Sequence, residues 1–143
     1  MNILIRKALL KDLPWVNEQY DKVQFKHSVY EREFIAIAEV EGAPAGIGRL
    51  VSIDEGNLEL GGMYVQDEYR GLGVAKGIVL YLLQQAKNKT VYCLPFAHLE
   101  NFYSACGFAP VHDIAHVPEE VVQKWEWCQN MYPQPTLLLY QQV

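Results

Sequence analysis

The chain has 143 residues, half of them hydrophobic and a fifth charged. That composition excludes a disordered tail and suits one domain with a buried core, here taken over residues 1–143. Twelve basic and 17 acidic side chains leave a formal charge of −5, which argues against nucleic acid as a partner and favours a cationic or amine substrate.

Three cysteines, Cys93, Cys106 and Cys128, form no CxxC pair, so neither a disulfide framework nor a zinc site is suggested and no metal is expected. Each lies in an apolar stretch and reads as a reduced core residue. Arg6, Lys7, Lys11 and Asp12 interrupt any apolar run at the start, which excludes a signal peptide from the reading. The longest apolar stretches fall far short of the roughly 18 residues needed to span a bilayer. A soluble, cytoplasmic protein without a membrane partner is expected.

Along the chain, Asn2 to Lys7 reads as a first strand, and Asp12 as the N-cap of a helix carrying Trp15, Val16 and Tyr20. Phe34 to Gly42 is a strand, turned by Glu41-Gly42-Ala43-Pro44 into a hairpin partner over Ala45 to Ile53. A second turn, Asp54 to Asn57, leads to a third strand over Leu58 to Val65. Its adjacent glycines, Gly61 and Gly62, predict a bulge or a close approach. The period then changes from two to 3.6. Ala75, Val79, Leu82, Leu83 and Ala86 define one face of a helix starting near Gly73.

Thr90 to Phe96 is a short apolar strand, set parallel to the preceding one because a helix separates them. A further helix through Leu99, Phe102, Tyr103 and Cys106 stops at Gly107. Pro118 opens another, with Val121, Trp125 and Cys128 on one face, and Pro135 to Gln142 is the last strand. The predicted fold is α+β (mixed α/β): a mixed sheet of six or seven strands with four or five helices, antiparallel at first with one parallel step.

The parallel step is made by RGLGVAKG, residues 70–77. One reading is a plain strand-to-helix turn in which glycine supplies positive φ. Two features favour an anion site instead: the first N–H groups of the helix face a concavity, and Arg70 stands in front of it. A dinucleotide fingerprint does not fit, because Lys76 stands where its third glycine belongs and no acidic residue follows between Val91 and Phe96. A Walker loop does not fit either, lacking Gly-Lys-Ser/Thr.

YVQDEYRGLGVAKGIVLYLL, Tyr64 to Leu83, resembles the acyl-CoA signature of the GNAT superfamily of N-acyltransferases, with Arg70-x-x-Gly73-x-Ala75 matching its core. LENFYSACGF, Leu99 to Phe108, is similar to a second family feature, an aromatic-Tyr pair followed by Gly-Phe. The order of elements agrees along nearly the whole chain. The resemblance implies two splayed parallel strands with pantetheine lying between them, its amides paired to Met63 and Val65. It implies a pyrophosphate cradle made by the N–H groups of Arg70, Gly71, Leu72, Gly73, Val74 and Ala75, with Asn101 and Tyr103 also touching acetyl-CoA. Tyr103 takes the position where the family keeps its general acid, and a backbone N–H near the bulge, that of Val65, is the oxyanion donor.

Glu59, on the same strand near the bulge, is the first candidate for general base through a water, with His98 as the alternative. The chain departs from the family at Phe96, preceded by Pro95, where many members carry an asparagine that contacts pantetheine. Two functions follow: an N-acetyltransferase using acetyl-CoA on a small-molecule or protein amine, or a non-catalytic acyl-CoA-binding domain. The resemblance also implies a homodimer, with no sequence patch assigned to it. The acceptor is expected to meet the loop around Gln24 to Glu31 and the segment from His112 to Tyr132.

Overall fold

The computed structural model describes residues 1–143. Seven strands form one sheet in the order β1-β2-β3-β4-β5-β7-β6. The first four, β1 (Ile3–Lys7), β2 (Glu33–Val40), β3 (Ala43–Asp54) and β4 (Asn57–Val65), are antiparallel neighbours. The parallel step falls between β4 and β5 (Thr90–Cys93), where the sequence places it. β7 (Leu139–Gln142) inserts antiparallel beside β5 and carries the two-residue β6 (Ala109–Pro110) on its outer side.

Strand alternation sends odd and even residues to opposite faces, and the helices divide accordingly. One face receives α2 (Val74–Gln84) and α3 (Glu100–Ala105), which close the largest core over Ala36, Ala38, Leu50, Leu60, Val91 and Cys93. The other face receives α1 (Leu13–Lys22) over Ile35, Ile37 and Ile47. There α4 (Glu119–Met131) lays Val121 and Trp125 beside Tyr92 and Leu138. No helix is long and apolar enough to cross a membrane.

Four local expectations are corrected. Asp12 does not cap α1: its carboxylate accepts from the Leu9 N–H at 2.7 Å and from Arg6 Nη1 at 2.8 Å, and Pro14 instead stands in the first turn of α1. The buried stripe of α2 is centred on Val74, Ile78 and Leu82, together with Val79 and Leu83. Those side chains settle on the bare backbone of Gly46 and Gly48, where an added Cβ would stand 3.1 and 2.6 Å from Ile78. Ala75 is thereby rotated out of the core.

The remaining two concern strand ends. β5 stops at Cys93, short of Phe96, because Pro95 lacks a ladder donor and the chain turns off there. The last strand begins at Leu139, with Thr136 making only an isolated bridge to Phe96. All three cysteines are free and buried.

The bulge foreseen at Gly61-Gly62 is present. Gly62 has φ +60°, and the β3–β4 register shifts opposite it, between Ile47 and Arg49. A Cβ there would lie 2.5 Å from Tyr20 Oη and 2.7 Å from Arg49 Nε. Only glycine meets both the backbone angle and the space.

Candidate active site

β4 and β5 pair only from Asn57–Leu60 against Thr90–Cys93. Beyond Leu60, β4 stays on β3 as far as Val65, while the chain after Cys93 leaves: Leu137 N–H donates to Pro95 C=O at 2.8 Å. The two strands therefore part, and the far half of β4 has one edge without a strand partner. Gln66 N–H donates to Ala45 C=O at 2.9 Å on the β3 side. By alternation, the backbone groups of Met63 and Val65 face the open side. The Met63 side chain packs against the core under α2, so what it offers the gap is backbone alone.

The open edge runs into the glycine turn. Gly71 and Gly73 have φ +80° and +83°, and a Cβ on either would meet nothing within 4 Å, so backbone conformation selects glycine here. Arg70 N–H is already used, donating to Asp67 C=O at 3.2 Å. The run of free N–H groups therefore starts at Gly71, one residue after Arg70. From Gly71 to Lys76 no N–H has an acceptor within the chain, the first intrahelical donor being Gly77 to Gly73 C=O. Consecutive free donors at the positive end of a helix suit a phosphate group.

A cavity of about 240 Å³ lies in front of them, lined by Val65, Tyr69, Arg70, Gly71, Gly73, Val74, Ala75, Lys76 and Phe102. Arg70 Nε donates to Val65 C=O at 3.2 Å and pairs with Asp67 at 3.3 Å, linking the turn to the open strand. Tyr69, Lys76 and Phe102 were not foreseen as lining residues; only Phe102, as half of the aromatic pair, carried a signal. Leu72 is exposed and turned away, and Asn101 lies on the outer surface of α3.

Tyr103 is buried under the same face, edge-on to Phe102 and Phe108 with centroids 4.9 and 5.9 Å away. Its hydroxyl sits beside the Cys93 thiol, and burial pushes both groups well above their ordinary pKa range. The phenol therefore holds its proton at any physiological pH. It does not line the cavity. His98 is exposed and stacks on Phe96.

Glu59 faces the other side of the sheet. It is buried, and Lys124 of α4 donates to its Oε2 at 2.7 Å. This partner lies 65 residues along the chain and leaves no local signal near Glu59. The same oxygen lies 3.6 Å from where a Gly61 Cβ would stand, so the carboxylate leans along β4 toward the bulge. Glu59 and Tyr103 thus approach the splayed region from opposite faces of the sheet.

The model of the acetyltransferase (GNAT) family matches residues 3–108. The chain belongs to the GNAT family. No curated protein matches it in sequence, but its fold is widely shared. Rv2747 from Mycobacterium tuberculosis, solved with CoA and NLQ, superposes with a TM-score of 0.77 at 19% identity, covering 98% of this chain and 99% of that one. N-acetylglutamate synthase from Neisseria gonorrhoeae, complexed with coenzyme A and N-acetyl-glutamate, gives 0.73 at 15% identity. The match takes in 100% of this chain but 35% of that enzyme, so the chain spans about a third of its length. An aminoglycoside 6'-N-acetyltransferase complexed with coenzyme A gives 0.70 at 12% identity, with 96% of each chain covered. At such identities the likeness is one of fold, and the splayed sheet of this GNAT chain agrees with it.

Proposed function

We propose that this GNAT protein is an acetyl-CoA-dependent N-acetyltransferase that moves an acetyl group to a primary amine by direct attack in a ternary complex. The observation that carries the reading is the continuity between the open amide edge of β4 and the free N–H cradle of Gly71 to Lys76. An extended chain of amides ending in a pyrophosphate fits both halves at once. The neighbours solved with coenzyme A support that type of cosubstrate.

In this reading Val65 and Met63 hold the pantetheine amides, and the Val65 N–H meets the charge that develops on the thioester oxygen. Glu59, through a water, takes protons from the acceptor ammonium. A C–N bond forms, the C–S bond breaks, and the departing sulfur takes the proton of Tyr103. The products are one amide and one thiol; Tyr103 is reprotonated from solvent, and one net proton is released. Burial raises the Tyr103 hydroxyl above its ordinary range, so its proton moves only to a thiolate that forms close by and is itself desolvated, whose own basicity is raised to match.

That same burial gives the non-catalytic reading its one support, since Tyr103 stands behind Phe102 and does not line the cavity. Calorimetry with acetyl-CoA, then thiol release over a panel of amines, separates the two. Binding with turnover supports the enzyme, binding without turnover for any amine supports the acyl-CoA-binding domain, and absence of binding refutes both.

A further inference from the structure

The face of the sheet opposite the glycine turn carries a second polar site around the bulge. Gly62 is covered by Tyr20 and Arg49. At Gly61 the backbone is bare, an added Cβ meeting only Glu59 Oε2 at 3.6 Å, and charged groups stand on both sides of it. On one side is the Glu59 carboxylate, leaning over Gly61 and paired to Lys124. On the other is Arg49 of β3, directly across from Gly61 in the register, with its Nε against the backbone of Gly62.

Arg49 is held firmly. Its guanidinium stacks 4.5 Å from the centroid of the Tyr20 ring, and Tyr20 is fixed by its own hydroxyl donating to Gly62 C=O at 2.8 Å. Nη1 donates to Ser28 Oγ at 2.7 Å and lies 3.6 Å from Glu33 Oε1. Nε and Nη2 have no acceptor in the chain, although the side chain is only 11% exposed. A strut needs one anchored nitrogen. A planar fork held rigid with donors to spare is the arrangement that receives a carboxylate.

We propose that the acceptor is a free amino acid, with its carboxylate on Arg49 and its amine over Gly61 beside Glu59. The proposal rests on the acetyltransferase reading and names the substrate class of that same site. Charge supports it. Glu33, Arg49, Glu59 and Lys124 sum to zero in the free protein, and a zwitterion supplies one group of each sign, an ammonium toward Glu59 and a carboxylate for Arg49. A polyamine would bring cations against Arg49 with no carboxylate for its fork, and a peptide amino terminus, whose carbonyl is an amide, would offer Arg49 only a neutral acceptor. The acceptor ammonium approaches Glu59 through a bridging water; Lys124 is half-exposed and free to swing into solvent as it arrives. Arg49, stacked on Tyr20 of α1, and Glu59, paired to Lys124 of α4, lie on the face of the sheet opposite α2 and its glycine turn.

The test is thiol release from acetyl-CoA with the twenty amino acids, each compared with its α-carboxamide and its decarboxylated amine. Free acids are expected to exceed both analogues in kcat/KM by roughly 10- to 150-fold, the range for one charge-assisted hydrogen bond. Arg49→Gln should collapse that preference toward one, chiefly through KM, while acetyl-CoA affinity by calorimetry stays unchanged. Arg49→Lys should recover part of it. Carboxamides or decarboxylated amines turned over as well as the acids would overturn the amino-acid assignment and leave the acetyltransferase reading standing. Acetyl-CoA binding with no turnover of any amine would overturn both. The comparison on the unmodified protein decides even where Arg49→Gln fails to fold.

Discussion

Replacing Gly73 by alanine probes the cradle with little steric disturbance, because an added Cβ meets nothing within 4 Å. What remains is backbone conformation. At φ +83° an alanine costs about 1–2 kcal/mol relative to the right-handed region. The stiffer unfolded chain returns about 0.4–1 kcal/mol, leaving a loss near 1 kcal/mol. With about 2.1 cal/mol/K of unfolding entropy per residue over 143 residues, that lowers Tm by roughly 3 °C. The larger effect is on ligand binding. A chain that relaxes out of the left-handed region turns the N–H groups beside Gly73 away from the cavity. Each lost charge-assisted bond to phosphate is worth about 1.5–3 kcal/mol, or roughly 10- to 150-fold in Kd. Calorimetry with coenzyme A should therefore show at least a tenfold weakening. Leu72→Ala, whose side chain points to solvent, should change neither quantity. Coenzyme A binding Gly73→Ala as tightly as the parent would refute the cradle and the argument built on its free donors.

Three further outcomes are expected. Tyr103→Phe should lower kcat by about 10²-fold or more while coenzyme A affinity stays within twofold, since only a proton donor is lost; unchanged kcat removes its acid role. Tyr20→Phe keeps the stack under Arg49 but strips the Gly62 carbonyl of its partner at 2.8 Å. It should cost about 1–3 kcal/mol in urea unfolding, and parent-like stability would show that the bulge does not need that bond. Alkaline pH should destabilise the fold, because burial pushes Cys93, Tyr20 and Tyr103 above their ordinary values. Unfolded thiols and phenols ionise near 8.5 and 10, so above those values the unfolded state binds fewer protons and gains. Stability should be full below about pH 8 and then fall by up to about 1.4 kcal/mol per pH unit per group. Cys93→Ala should reduce the earliest part of that decline, which it shares with Cys106 and Cys128, both also raised by burial; an unchanged urea midpoint from pH 8 to 10.5 would contradict the burial argument.

Much of the molecule was legible in its local chemistry. Alternation in the early strands, the 3.6 period after Gly73 and the two motifs placed the elements in order and put the parallel step at residues 70–77. Those signals are local: φ at a glycine, a missing proline donor and a stripe of apolar side chains act over a few residues. The same signals misjudged Asp12, whose carboxylate had a better offer from Arg6 and from the Leu9 N–H. They also placed Ala75 in the core, because helix rotation depends on where the facing strands are bare, and Gly46 and Gly48 lie some 30 residues away.

Pairings across the sheet were beyond the sequence for the same reason. Lys124 meets Glu59 only because α4 packs on the α1 side, and Arg49 lies across from Gly61 only because the bulge at Gly62 sets that register. The sequence by itself determined the strand–turn–helix that cradles an anion, since its conformation is written in consecutive residues. Tertiary structure alone decided which charges stand around the bulge, because electrostatics acts through space and the chain brings those groups together from four separate segments.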